Sequence, residues 1–268
     1  MNELRTLAER IARAAGKVLV DCFHGARTIE FKGDTGHADF VTDADRASEE
    51  LILETLTREV PGHAVLAEES GARGQGDWCW YVDPLDGTVN YAHGVPHFSV
   101  TLAVSGPSGL EAACTFDPLR GELFSAARGQ GATLDGRPIR CSAAAHLDDA
   151  LMVSGFPYDV RQRAPLVLGL FDRVVVHTQG MRRFGSAALD LAWVAAGRFD
   201  GYYEFGLKPW DSAAGALLVA EAGGVVTRID GAPYEPRWSD VLAAAPGIAG
   251  PLGTLCADFV RGAGWAPR

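Results

Sequence analysis

The sequence is poor in several things that would classify it quickly. Only five of its 268 residues are cysteine, and Cys22, Cys79, Cys114, Cys141 and Cys256 contain no C-x-x-C pair. An odd count without paired spacing argues against a disulfide framework or a cysteine-built zinc site, and fits reduced thiols in a cytosolic protein. Basic residues are short: 24 Lys and Arg stand against 34 Asp and Glu, a formal net charge of −10. That balance disfavours a broad surface for nucleic acid or an anionic membrane. The N-terminal residues Met1-Asn2-Glu3-Leu4-Arg5 carry no long apolar leader, so no signal peptide is expected. Residues 241–255 are apolar but broken by Pro246, Gly247, Gly250, Pro251 and Gly253, too interrupted to span a bilayer. Internal repeats and low-complexity linkers are missing as well.

What remains is the composition of an ordinary globular protein, 47% hydrophobic and 22% charged. Leu4, Leu7, Ala8, Ile11, Ala12, Ala15, Val18 and Leu19 recur at helical spacing and predict an amphipathic helix over residues 3–22. A second helix is expected over residues 46–59, with Asp43 or Asp45 at its start and Pro61-Gly62 after its end. Residues 65–67, 78–82, 98–104, 110–116 and 122–127 read as strands, and Asp135-Gly136 and Asp230-Gly231 as hairpin-type turns. The second half offers helices at 186–196 and 212–222 and strands at 201–205 and 225–229. Strands and helices come in runs, with few β-α-β alternations, which predicts layers of helices and mixed sheets. A single domain over residues 1–268 is expected. A change of character at 143–150 would divide it into sub-domains 1–145 and 146–268.

The chemistry lies in acidic residues at element junctions. They are Asp39-Phe40-Val41-Thr42-Asp43-Ala44-Asp45, Glu68-Glu69-Ser70, Asp83-Pro84-Leu85-Asp86-Gly87-Thr88, Glu204, and Trp210-Asp211-Ser212. Alone, each has an ordinary explanation as a turn, a solvated edge or a helix cap. The third is the most informative. The strand ending Tyr81-Val82 should stop at Asp83, because Pro84 cannot continue a ladder, and a tight turn would point Asp83 and Asp86 the same way. If the chain then turns helically, the Gly87 and Thr88 amides suit a phosphate. Two carboxylates beside an anion site make electrostatic sense only with cations between them. Hard oxygen donors without nearby His or Cys indicate Mg²⁺ rather than zinc, with Glu68 and Asp211 as remote ligands.

Asp83-Pro84-Leu85-Asp86-Gly87-Thr88-Val89-Asn90 resembles the D-P-[IL]-D-G-T-x-N signature of the inositol monophosphatases. Trp210-Asp211-Ser212-Ala213-Ala214-Gly215 resembles their W-D-x-A-x-G segment, residues 39–45 their D-x-V-T-x-x-D, and Ala67-Glu68-Glu69-Ser70 their G-E-E-S, with Ala67 in place of Gly. The resemblance implies an α-β-α-β-α layered fold and a lithium-sensitive type of Mg²⁺-dependent phosphatase using two or three ions. It implies that Glu68, Asp83 and the Leu85 carbonyl hold one ion, and that Asp83, Asp86 and Asp211 hold a second. Asp45 and Thr88 would orient and deprotonate the attacking water, with Glu68 also in the catalytic set. The Gly87 and Thr88 amides would bind phosphate oxygens, and Asp86 and Asp211 also belong to the substrate-binding set. Gly185, Ser186, Ala187 and Glu204 would contact an inositol ring. Only 14 residues separate Glu68 from Asp83, a shorter loop than in animal members.

The expected reaction is hydrolysis of a small phosphomonoester, inositol monophosphate first, in a cytoplasmic homodimer. Histidinol phosphate, other sugar phosphates or nucleotides are the alternatives within the superfamily. From another class, a regulatory protein binding the transcription machinery is the alternative. His93 and His97 are expected in loop or supporting hydrogen bonds, Gly129 and Gly131 in a hairpin turn, and Arg182-Arg183 either beside the substrate phosphate or on a solvated or interface surface. Trp78, Trp80, Trp193 and Trp210 are expected in the core.

Overall fold

Leu7, Ile11, Ala15 and Leu19 form the buried stripe of helix α1 (Asn2–Phe23), as their spacing requires. The structure is a computed structural model describing residues 2–23, 29–31 and 40–266, so Asp39 lies outside the described residues. Strands β1 (Ile29–Phe31) and β2 (Phe40–Thr42) pair antiparallel and lead into α2 (Asp43–Glu59). This helix begins three residues before the expected Arg46 because Thr42 caps it. The Asp45 amide donates to the Thr42 hydroxyl (3.4 Å), and the Thr42 amide donates to the Asp45 carboxylate (2.8 Å).

The first sheet follows almost without interruption: β3 (Ala64–Ala67), β4 (Gly71–Arg73), β5 (Cys79–Asp86), the short helix α3 (Thr88–Ala92), β6 (Ser99–Gly106), β7 (Gly109–Asp117), β8 (Glu122–Ala127), β9 (Ala132–Leu134) and β10 (Arg137–Pro138). Its order is β10-β9-β8-β7-β6-β5-β3-β4. Only the β3–β5 pair is parallel. Leu134 faces Arg137 across Asp135-Gly136, the expected two-residue hairpin.

The second half adds β11 (Leu151–Ser154), α4 (Ala164–Val175), β12 (Gly180–Arg182), α5 (Ala187–Ala195), β13 (Gly201–Phe205), α6 (Pro209–Glu221), β14 (Val225–Thr227), β15 (Asp240–Ala244) and α7 (Pro246–Gly262). Its sheet order is β12-β11-β13-β15-β14. Three apolar cores separate five layers. α1 and α2 pack on one face of the first sheet. α5 and α6, short-sided with alanine, fill the space between the sheets. α4 and α7 cover the far face of the second sheet. The result is the α-β-α-β-α order implied by the resemblance.

Two expectations, the end of β5 and the place of Trp210, are corrected. β5 does not stop at Asp83 but runs through Pro84 to Asp86. The apolar stretch 241–255 is a strand followed by α7. Pro246 sits in the first turn of that helix, where no amide partner is lost, and Pro251 is carried inside it. Trp80 is fully buried, but Trp210 lines the cleft described below. Among the described residues no helix is long and apolar enough to cross a membrane.

Candidate active site

In a regular strand, residues three apart point to opposite faces. Asp83 and Asp86 nevertheless share a face. Asp83 pairs with Thr101 and Asp86 with Ser99, so two residues of β5 bulge against one of β6. Pro84 and Leu85 form that bulge, where the missing proline amide costs no ladder bond. The loop is braced from both sides. The Leu85 amide donates to Asp83 Oδ1 at 3.0 Å, and the Ser48 hydroxyl of α2 donates to the Pro84 carbonyl at 2.8 Å.

The chain then turns at Gly87, whose φ of 91° is left-handed. A Cβ there would come 3.1 Å from the His97 carbonyl and 3.3 Å from that of Gly185, so the position is closed as well as strained for other residues. Thr88 opens α3. Its hydroxyl lies 2.9 Å from the Leu85 carbonyl and 3.2 Å from Asp45 Oδ1. Asp45 is fully buried behind Thr88. The Asn90 side-chain amide donates to the carbonyls of His97 (2.9 Å) and Phe184 (2.8 Å), tying this turn to the segment before α5.

Apart from Asp45, every site residue expected from the sequence lines one cleft of about 240 Å³. Asp86 ends β5 against the first turn of α5. It accepts from the Ser186 hydroxyl, the Ala187 amide (3.2 Å) and the Ala188 amide (3.0 Å). Ser186 and Ala187 therefore face Asp86 in this structure. Asp211, in the first turn of α6, accepts from the Lys208 amide at 2.7 Å. Asp45 and Asp211 each sit in the first turn of a helix and accept from the amide three residues earlier, so Asp211 is not the N-cap expected from the sequence, a place taken by Lys208.

Burial pushes the Asp83 carboxyl well above the usual range, and Glu68, Asp86 and Asp211 add repulsion. A hydrogen bond between Asp83 and Glu68 raises it further. Burial lifts Asp86 to about 6, against the opposing pull of Ser186 and the Ala188 amide. Burial and then Glu68 lift Asp211. Among the described residues no three acidic, His or Cys side chains stand in a closed ligand set, since neighbouring amides and hydroxyls hold several of these carboxyls. The donors are nonetheless all hard oxygens, crowded and mutually repelling, a repulsion that a cation would relieve. They fit Mg²⁺.

The other end of the cleft carries Glu204 of β13. Burial lifts its carboxyl to about 7, while the Tyr202 hydroxyl, which donates to Oε2, opposes the shift. Asp190 of α5 and Arg183 also line this end. The sequence reading missed Asp190, whereas Arg183 is exposed, as expected, and also borders the cleft. An acid one turn into a helix carries no local signal. His97 is buried among Phe184 and Trp193, and burial lowers its ring to about 4.

An eight-stranded and a five-stranded sheet in five layers, with acidic groups gathered at the strand ends and helix starts, define a layered mixed α/β architecture with an acidic cleft. The chain belongs to the inositol monophosphatase family, whose pattern matches residues 1–260. It is 42% identical over 250 residues to the Nus factor SuhB of Salmonella typhimurium, covering 92% of this chain and 93% of that protein. It is 44% identical over 239 residues to the inositol-1-monophosphatase of Synechocystis, covering 88% and 83%. The solved inositol monophosphatase of Anabaena superposes with a TM-score of 0.86 at 39% identity, covering 98% of this chain and 99% of that one.

Proposed function

We propose that this protein hydrolyses a small phosphomonoester with Mg²⁺, and that inositol monophosphate is its substrate. The observation that carries the reading is the convergence of Glu68, Asp83, Asp86 and Asp211 on one cleft beside Thr88. In this reading Glu68, Asp83 and the Leu85 carbonyl hold one ion, and Asp83, Asp86 and Asp211 another. Bound Mg²⁺ supplies Lewis acidity, polarising phosphoryl oxygens and easing the ionisation of water.

The chain's own groups do the rest. Thr88, donating to Asp45 Oδ1, turns a lone pair toward the attacking water, and as its hydroxyl takes a proton from that water it passes its own to the Asp45 carboxylate. The amides of Gly87 and Thr88 offer donors to phosphate oxygens. Gly185, Ser186, Ala187 and Glu204 shape the side of the cleft that takes the alcohol. A panel of phosphomonoesters assayed with Mg²⁺ and with chelator tests the reading. Release of phosphate from inositol monophosphate in Mg²⁺ alone supports it, and turnover of no ester in the panel removes it.

The reading includes a homodimer, for which Val89, Val95 and Phe184 offer exposed apolar surface. A second reading, contact with the transcription machinery, is supported only by the name Nus factor SuhB carried by the Salmonella relative. Co-purification with RNA polymerase that survives Asp83→Asn would separate that role from hydrolysis.

A further inference from the structure

Asp86 is gripped by two segments far apart in sequence. Ser99, at the start of β6, donates its hydroxyl to Asp86 Oδ2 at 3.4 Å. Ser186, Ala187 and Ala188, at the start of α5, give Asp86 a hydroxyl and two amides. Three of these four donors reach Oδ2 and one reaches Oδ1, which leaves Oδ1 with acceptor capacity to spare. A single side chain ties the two segments together. The Asn90 carboxamide donates to the His97 carbonyl at 2.9 Å and to the Phe184 carbonyl at 2.8 Å, with the Gly185 carbonyl at 3.4 Å. His97 lies two residues before Ser99, and Phe184 lies two residues before Ser186. Asn90 therefore bridges the segments at matching points, each just ahead of a hydroxyl that holds Asp86. Asparagine suits the place because its short stem carries two N–H donors, where serine has one and an ionised aspartate has none.

We infer that Asn90 is a positioning residue for the cation: by fixing the spacing of the two segments it sets the donors that aim Asp86, and with them the Mg²⁺ affinity of the cleft. The inference rests on the Mg²⁺-dependent reading above. Asn90 is not among the residues lining the cleft, so it acts through Asp86 rather than on substrate. The spacing it sets has little slack. The same His97 and Gly185 carbonyls close on Gly87, where a Cβ would stand 3.1 Å from one and 3.3 Å from the other. Asn90 is itself anchored, since the Val95 amide donates to its carbonyl at 2.8 Å and closes the turn after α3. A carboxylate held ready in one orientation binds a cation without first being ordered, and the groups behind a ligand supply that order.

The test is calorimetric titration of Mg²⁺ into the chelator-stripped full chain, beside phosphate release from inositol monophosphate. Asn90→Ala should raise the Mg²⁺ dissociation constant about tenfold, the lower end of what losing a group behind a metal ligand costs. At saturating Mg²⁺ its kcat should recover most of the unmodified rate, because the groups that touch substrate are unchanged. Asn90→Asp keeps the shape but sets an acceptor against two carbonyls, so it should weaken Mg²⁺ at least as much. The comparison with Asp86→Asn separates positioning from structure. Added to Asp86→Asn, Asn90→Ala should weaken Mg²⁺ by less than about twofold further, because the residue it acts through is already altered. A full tenfold additional loss in that background would make Asn90 a structural residue and overturn the inference. So would a lower Tm in Asn90→Ala with unchanged Mg²⁺ affinity. If Asn90→Ala does not fold, Asn90→Asp carries the same test, and failure of both to fold overturns the inference. No Mg²⁺ binding and no turnover in the unmodified protein removes the parent reading, whereas normal binding there with unchanged affinity in both variants removes this inference alone.

Discussion

Asp83 stands where burial and three other acids all oppose its ionisation. In the proposed mechanism it serves both ions, so Asp83→Asn should lower kcat by about a hundredfold or more, read as phosphate release at saturating substrate. Near-normal turnover at ordinary Mg²⁺ would contradict its bridging role. At Gly155 the constraint is steric. Gly155→Ala places a methyl group against Glu204 Oε2, so Glu204 must move. KM for inositol monophosphate should rise about tenfold more than KM for an aryl phosphate, the cost of one misplaced charged hydrogen bond. At this scale the acids were legible in the sequence because each follows an apolar strand or opens a helix. Asp190 was not, because its neighbours Leu189 and Leu191 are ordinary helix residues and only the fold brings it to the cleft it shares with Glu204 of β13.

Elements aim these side chains. The bulge in β5 turns a three-residue spacing into a shared face, and the capped start of α2 fixes Asp45 behind Thr88. Thr42→Ala removes the hydroxyl that accepts from the Asp45 amide and donates to its carboxylate. It should cost about 1 kcal/mol, seen as a Tm lower by about 2–4 °C, and should lower kcat as Asp45 loosens. An unchanged kcat with the lower Tm would show that Asp45 needs no cap to do its work. The sequence indicated a break at Pro84, but only pairing with Ser99 and Thr101 makes that break a bulge rather than a turn. The hairpin at Asp135-Gly136 was readable because its chemistry is local. α7 was not, because prolines and glycines that usually end helices occupy its first turn and exposed face. α4, β11 and β12 gave no early signal either, since what holds them is pairing between separated segments, β11 with β12 and β13, and packing of α4 on α7.

Over the whole molecule the formal charge is −10, and much of its cost is concentrated in the cleft. Asp83, Asp86 and Asp211 have folded pKa values raised above those of the unfolded chain. The native state therefore binds more protons across that window, and stability falls as pH rises. In chelator, Tm should drop from pH 5 to pH 8, with the loss beginning near the unfolded carboxylate range of about 4 and continuing through and above about 6, where Asp86 titrates. His97, held at about 4, works the other way, favouring the folded state as pH rises from about 4 to 6.5. Its effect is the same with and without Mg²⁺, so the difference between the two melts isolates the acids. Mg²⁺ should raise Tm more at pH 8 than at pH 5, because it binds the ionised cluster of the folded chain. An equal rise at both values would mean the cation binds elsewhere. Layers of helices and mixed sheets were legible from runs of strands and helices, and their order from the resemblance. The placement of the cleft, where β5, α5, β13 and α6 meet, was legible only through the family resemblance. The central claim is a Mg²⁺-dependent hydrolysis, and the direct measurement is phosphate release from inositol monophosphate by chelator-treated protein as Mg²⁺ is added back. The rate should be near zero in chelator and rise saturably with Mg²⁺, whereas full activity in metal-free buffer would contradict the account.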